Sequence, residues 1–249
     1  MKLEVQDGVA LLRMAEGKGN AIGARWLEEM ELALDELLAS GARAMVVVGS
    51  ESFFSAGLDL PALIELSEAQ MEAFIDDFSA VMLRFFELPV PTVAAINGHA
   101  IAGGCVLALQ ADRRFMASGP AKIGLNEVQL GIGLPAVVME TLRAQVPPGS
   151  LGPIALEGRL FDAHEALQLG LIDKVVAPGE LVAQAMAWAK AMAQLAPEAV
   201  QQIKSALRRP VAERVRSGSA HDAAGWVNTW RSQSGQSRLR AAVARLTKK

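Results

Sequence analysis

Three segments of the chain carry residues that could do chemistry. They lie at residues 53–60, 96–106 and 123–132, and each begins in or directly after a short apolar stretch. Open α/β proteins tend to build their ligand sites in the turns that follow buried strands. The first segment has one glycine, the second has three and the third has two, and the third also contains the carboxylate of Glu127. They are the candidates for a site made of backbone amides and one acid.

The first segment, F-S-A-G-L-D-L at residues 54–60, places a glycine in a turn. Gly57 lets the backbone turn or approach a ligand closely, which would leave the amide of Leu58 free to point into a cavity. The alternative is structural, because Asp59 could simply cap a helix that begins near Pro61.

The second segment, I-N-G-H-A-I-A-G-G-C-V at residues 96–106, has the glycine pair Gly103-Gly104 before a predicted helix at residues 104–111. The first amides of a helix lack intrahelical partners and carry the positive end of its dipole, which favours an oxyanion. Alternatively, the small residues only let this helix pack tightly. The spacings G-x-x-x-x-G-K-[ST] and G-x-G-x-x-G are absent, which disfavours nucleotide hydrolysis.

The third segment, I-G-L-N-E-V-Q-L-G-I at residues 123–132, contains Glu127 among apolar residues. In an apolar pocket the pKa of a glutamate rises towards a value that suits proton transfer near neutral pH. A surface loop would also explain this glutamate. The segment by itself does not decide between a glutamate in an apolar pocket and a glutamate in a surface loop.

Composition excludes several other classes of function. The 249 residues carry a net charge of −3 and are 51% hydrophobic, and no apolar run is long enough to span a membrane. We expect a soluble protein without a nucleic-acid or membrane partner. Cys105 is the only cysteine and the three histidines are widely spaced, so we expect neither a disulfide nor a metal site. The N-terminus lacks the features of a targeting segment, which fits a cytoplasmic location.

The order of the predicted elements indicates an α/β core over residues 1–178. Asp7-Gly8 joins two short strands in a predicted hairpin. A helix at residues 24–39 precedes a buried strand at 44–48, and a helix at 68–87 precedes another at 92–96. Alternating strands and helices are typical of α/β proteins. The length would also fit two small domains, but we favour one domain with a helical region at its C-terminal end.

From residue 179 to 249 the sequence predicts helices only, at residues 181–195, at 197–208 and from 212 to the end. Trp226, Trp230 and Leu239 form an apolar stripe in this C-terminal helical region. The stripe could pack on the chain's own core or form a subunit interface.

Taken together in this order, the three segments resemble the crotonase (enoyl-CoA hydratase/isomerase) superfamily over nearly the whole chain. The resemblance implies a spiral of ββα units, a C-terminal helical region that forms a homotrimer or a dimer of trimers, and an acyl-CoA thioester substrate with no separate cofactor. It also implies that the amides of Leu58 and Gly103 form an oxyanion hole. The residues implied to bind substrate are Ser55, Ala56, Gly57, Leu58, Asp59 and Gly103.

The catalytic positions refine the expected reaction. Hydratases of this family carry two glutamates, whereas this chain has Val106 at the first position and keeps only Glu127 at the second. The third segment and the sequence from Trp230 to Leu246 are similar to mitochondrial-type Δ3,Δ2-enoyl-CoA isomerases, which implies double-bond migration in fatty acid β-oxidation. The alternatives are a hydratase or another crotonase reaction, and a non-catalytic acyl-CoA binding protein that kept only the fold.

Overall fold

The computed structural model describes residues 1–15, 17–50 and 52–247. Nine strands lie in this part of the chain, and most are buried on both faces. They are β1 (Lys2–Gln6), β2 (Val9–Arg13), β3 (Ala44–Val48), β4 (Phe53–Ser55), β5 (Thr92–Ile96), β6 (His99–Ile101), β7 (Arg113–Ala117), β8 (Ile123–Gly124) and β9 (Lys174–Val176).

Ten α-helices connect or cover these strands in the described residues. They are α1 (Ala24–Ala39), α2 (Leu60–Leu63), α3 (Glu68–Phe86), α4 (Gly103–Gln110), α5 (Ala136–Gln145), α6 (Leu151–Ala155), α7 (Ala163–Gln168), α8 (Leu181–Ala193), α9 (Pro197–Arg231) and α10 (Gln233–Thr247). None of the described helices is long and apolar enough to cross a membrane.

The larger sheet has six strands in the order β1-β2-β3-β5-β7-β9. The hairpin β1–β2 is antiparallel and the other pairings are parallel. Its two central strands, β3 and β5, are fully buried and, apart from Thr92, apolar, because both faces of the sheet are covered. In β3, Met45 and Val47 face the main core, whereas Ala44, Val46 and Val48 face a second core beneath α8.

The smaller sheet has three parallel strands in the order β4-β6-β8. Each follows a strand of the larger sheet after a short turn: β3 leads to β4, β5 to β6, and β7 to β8. Each pair of strands is then followed by helical structure. These successive ββα units confirm the predicted crotonase-like α/β fold.

The C-terminal region is helical, as predicted, and its residues 248 and 249 lie outside the described part of the chain. Helix α8 lays the evenly spaced Leu181, Ala185 and Ala189 against the larger sheet. The first helix of this region therefore packs on the predicted core, and the division into two parts at residue 178 stays a prediction.

The predicted helix break between residues 208 and 212 is wrong. Helix α9 runs through Pro210, although an internal proline typically costs about 3 kcal/mol. Tertiary contacts hold the helix on both sides of the proline. Before it, Lys204 and Arg208 each donate a hydrogen bond of 2.6 Å to the carboxylate of Asp112, and after it the helix buries Val211. The chain breaks instead at Ser232, between α9 and α10.

The apolar stripe of the C-terminal region packs within its own chain. Trp226 and Trp230 are 4% and 2% exposed, and their rings stack with centroids 5.3 Å apart. Leu239 is fully buried in the same core. The first of the two interpretations is confirmed, and these three residues are covered before any subunit contact forms.

Candidate active site

The three segments predicted to carry chemistry follow the three strands of the smaller sheet. Leu58 comes after β4, Gly103 after β6 and Glu127 after β8. Because these strands are adjacent and parallel, their carboxyl ends lie at the same edge of the sheet. The topology therefore brings together residues that are far apart in the sequence.

The amide of Leu58 is oriented by a short pairing with the segment around Ile22. The Ile22 amide donates to the Gly57 carbonyl (2.8 Å), and the Asp59 amide donates to the Ile22 carbonyl (3.0 Å). Because successive amides in extended backbone point to opposite sides, that of Leu58 points away from Ile22. Within the described residues, it donates to no backbone carbonyl.

The first two loops touch through their backbones. Gly57 has a φ of +89°, and a Cβ there would lie 2.7 Å from the Ile101 carbonyl oxygen and 3.3 Å from the Gly103 nitrogen. A Cβ on Gly104 would overlap the Ser55 carbonyl. Only glycine allows this approach, and the approach places the amides of Leu58 and Gly103 in neighbouring loops.

The Gly103 amide is the first of helix α4 and follows an unusual residue. Ala102 has a φ of +49° and a ψ of −117°, a conformation that costs on the order of 1–3 kcal/mol for a residue other than glycine. Two hydrogen bonds hold it there, from its amide to the Gly124 carbonyl (2.9 Å) and from the Val106 amide to its carbonyl (3.0 Å). Among the described residues, the Gly103 amide has no backbone acceptor.

Glu127 begins a 3₁₀ turn, Glu127–Leu130, and its side chain is buried. Burial raises the pKa of the carboxyl from an ordinary value of 4.5 to about 7, because the charged form loses its hydration. The atom Oε2 is buried and has no hydrogen-bond partner in the described part of the chain. This carboxyl can therefore gain and lose a proton near neutral pH.

A cavity of about 660 Å³ joins these groups. Ala56, Leu58, Gly103 and Glu127 all line it. Among the described residues in its wall, Glu127 is the only acid, and Val106 presents an apolar side chain to the same space. The arrangement offers one proton-transfer group beside two backbone donors.

Three of the predicted substrate-binding residues do not line this cavity. Ser55 is fully buried, where it donates to the Asn20 carbonyl (2.8 Å) and accepts from the Gly57 amide (3.2 Å). Asp59 accepts a hydrogen bond from the Ala62 amide (3.4 Å) and caps the start of α2, which is the structural role that the sequence offered as an alternative. Gly57 contributes its tight turn. These residues shape the first loop, and direct contact with a substrate stays a prediction for them.

Sequence reasoning missed the part that helices α9 and α10 play in the site. Trp226 Nε1 donates to the Gly133 carbonyl (3.0 Å), and the Gly133 amide donates to Thr229 Oγ1 (2.9 Å). Helix α10 lies directly against the turn that holds Glu127, because a Cβ on Gly131 would lie 3.1 Å from the Cα of Gly235. The glycine in R-S-Q-S-G-Q-S was the one local signal of such a close approach.

Other side chains that could react do not form a second centre in the described residues. Cys105 is buried, and burial followed by the nearby Glu127 raises the pKa of its thiol. It therefore stays protonated and is a poor nucleophile. No group of three or more potential metal ligands occurs in the described part of the chain.

Comparisons with known proteins identify the family of the chain. Residues 4–243 match the family described as Enoyl-CoA hydratase/isomerase. Human "Enoyl-CoA delta isomerase 1, mitochondrial" is 32% identical over 243 residues, which cover 96% of this chain and 80% of the relative. "Probable enoyl-CoA hydratase EchA17" of Mycobacterium tuberculosis is 33% identical over 201 residues, covering 80% of this chain and 77% of the relative.

Among solved structures, human mitochondrial delta3-delta2-enoyl-CoA isomerase superposes with a TM-score of 0.95 at 29% identity, covering 99% of this chain and 98% of that one. Relatives named isomerase and hydratase are both similar to this chain in sequence, so the names do not fix the reaction. The match over almost the whole chain and the two identities above 30% show that the chain belongs to the enoyl-CoA hydratase/isomerase family of crotonase-fold enzymes.

Proposed function

We propose that this chain is a Δ3,Δ2-enoyl-CoA isomerase that converts 3-enoyl-CoA to 2-trans-enoyl-CoA in fatty acid β-oxidation. One observation carries the proposal. Among the described residues that line the cavity, Glu127 is the only acid, and the position at which related hydratases are expected to hold a second glutamate is Val106.

The proposed reaction moves one proton and two electron pairs. The Glu127 carboxylate takes a proton from C2 of the thioester, and the electrons of that C–H bond shift to give a dienolate. The amides of Leu58 and Gly103 donate to its oxygen, and each such donor is typically worth about 3 kcal/mol of barrier. Protonated Glu127 then delivers its proton to C4, which leaves the double bond between C2 and C3.

The same residues argue against efficient hydration. Adding water across a double bond requires that the water be oriented, deprotonated and delivered, which suits two acid/base groups. Val106 has no polar atom in its side chain and reduces the room for a water molecule. A single carboxyl with a pKa of about 7 suffices for a proton shuttle, because it accepts and returns the same proton.

The runner-up function is a hydratase or another crotonase-type reaction. Asn126 and Gln129 line the same cavity and could orient a water molecule. Neither amide titrates near neutral pH, so neither replaces the missing glutamate as an acid or base. A non-catalytic acyl-CoA binding protein is the second alternative, but the raised pKa of Glu127 and its unpartnered oxygen favour an active centre.

Assembly and location are also part of the proposal. We propose a homotrimer or a dimer of trimers in the cytoplasm, acting on acyl-CoA without a separate cofactor. Ile203 and Leu207 lie one helical turn apart on α9 and are 57% and 71% exposed. An apolar pair on an outer helix supports a subunit contact, because burying it would remove apolar surface from water.

The test is conversion of 3-enoyl-CoA by purified protein, followed by chromatography of the products. Wild type should form 2-trans-enoyl-CoA, and Glu127→Gln should reduce turnover by roughly 10²–10⁴ while acyl-CoA binding survives. Glutamine preserves the shape of the side chain and removes only the proton transfer. Full turnover by Glu127→Gln would contradict the proposed base, and a wild type that binds acyl-CoA without turnover would support the non-catalytic alternative.

A further inference from the structure

The cavity has an exposed cationic part and a buried apolar part. Arg238 and Arg245 on α10 line the exposed part, whereas Ile75, Phe78 and Trp226 line the buried part and are each less than 6% exposed. An acyl-CoA carries its phosphates at one end and its hydrocarbon chain at the other. Charge pairing and desolvation therefore orient the ligand with its phosphates near the arginines and its acyl chain in the buried part.

A second, much smaller cavity of about 10 Å³ lies behind the buried part. The two cavities share Ile75 and Pro135 in their walls. The smaller one is also lined by Asp76, which is exposed, and Ser79, which is half-buried. The acyl part of the larger cavity is therefore closed, at this point, by a wall about one side chain thick.

Ile75 is the removable part of that wall. Pro135 is the N-cap of α5, so its replacement would alter the start of a helix. Trp226, which borders the same part of the larger cavity, is fixed by its hydrogen bond to the Gly133 carbonyl. Ile75 lies in the middle of α3, is 2% exposed and contributes only hydrocarbon.

We infer that Ile75 sets the longest acyl chain that the enzyme binds well. This inference rests on the proposed function for its substrate class, an acyl-CoA thioester. Each methylene that the pocket buries should raise affinity about fourfold, until the chain end meets Ile75. Beyond that length, added methylenes gain nothing or reduce affinity, because the close-packed wall must be displaced.

The experiment measures affinity for saturated acyl-CoAs, from butanoyl-CoA to hexadecanoyl-CoA, by isothermal titration calorimetry. Saturated esters cannot be isomerised, so the measurement does not depend on turnover. In Ile75→Ala, which removes three carbons and connects the two cavities, the best-bound chain should lengthen by about two or three carbons. At about fourfold for each methylene, affinity at the new optimum should rise by roughly 16-fold for two added carbons and roughly 60-fold for three, relative to wild type.

Met71→Ala is the matched control. Met71 is buried on the same helix one turn earlier, lines neither cavity, and loses the same number of side-chain heavy atoms. Its chain-length profile should match wild type. An unchanged profile in Ile75→Ala, or an equal change in Met71→Ala, would overturn the inference.

Two further results keep the test decisive. If circular dichroism shows that Ile75→Ala does not fold, Ile75→Val removes one carbon and should lengthen the best-bound chain by about one, with a gain of about fourfold. The absence of that change would overturn the inference as well. A wild type that binds no acyl-CoA of any length would instead refute the proposed function itself, which is a separate outcome.

Discussion

Replacing Glu127 by glutamine should stabilise the folded protein at alkaline pH. Burial raises the pKa of this carboxyl from 4.5 to about 7, so between these values the folded state binds more protons than the unfolded state. The free energy of unfolding of the wild type therefore falls as pH rises through this window. With about 1.4 kcal/mol for each pKa unit, the loss amounts to about 3 kcal/mol once Glu127 is ionised. Glutamine does not titrate, so the variant does not lose this stability as pH rises.

Urea denaturation followed by tryptophan fluorescence measures this effect at equal protein concentration. Near pH 5, Glu127→Gln and wild type should differ little, and at about pH 8 the variant should be more stable by about 3 kcal/mol. The exposed Glu213 on α9 gives a matched control, because Glu213→Gln makes the same chemical change away from the cavity. If the stability difference between variant and wild type is the same at both pH values, ionising the buried Glu127 does not destabilise the folded protein, and the prediction is wrong.

Three other predictions concern the oxyanion hole, the reaction and the assembly. Gly103→Pro removes an amide donor and should reduce isomerase turnover by about 10²–10³ in a protein that circular dichroism shows to be folded, whereas Gly103→Ala keeps the amide and should lose much less. Val106→Glu should yield a small amount of 3-hydroxyacyl-CoA from 2-enoyl-CoA by chromatography, because a new carboxylate in an apolar wall lacks supporting hydrogen bonds. Light scattering should show that the wild type is a trimer or hexamer. Ile203→Glu should weaken this assembly, because it places a charge in the apolar contact between subunits. A wild type that is a clean monomer would contradict the assembly.

Much of the fold could be predicted from local sequence signals. Asp7 and Gly8 adopt φ values of 53° and 75°, as their predicted hairpin turn requires. The continuous apolar run at residues 44–48 forms β3, which is buried on both faces. Pro210 misled the prediction because its local cost is outweighed by distant contacts, such as those of Lys204 and Arg208 with Asp112, that no local pattern reveals.

The candidate site, like the fold, could be predicted from the sequence only in part. The glycine motifs and the lone acid identified Leu58, Gly103 and Glu127, and the structure places all three on one cavity. The positive φ of Ala102 could not be predicted, because alanine adopts it only where surrounding hydrogen bonds impose it. Gly235 signalled a close approach, but its partner Gly131 could not be predicted, since the contact depends on how α10 folds back over the site.

The proposed isomerase activity depends on Glu127 being the one acid among the described residues that line the cavity. The most direct measurement compares two rates of the unmodified protein, the conversion of 3-enoyl-CoA to 2-trans-enoyl-CoA and the hydration of 2-trans-enoyl-CoA, with both products separated by chromatography. Because Glu127 is the one acid in the described part of the cavity wall and Val106 lines the same cavity, isomerisation should be much faster. Hydration of the 2-enoyl ester at a higher rate than isomerisation of the 3-enoyl ester would contradict the proposed function and favour the hydratase.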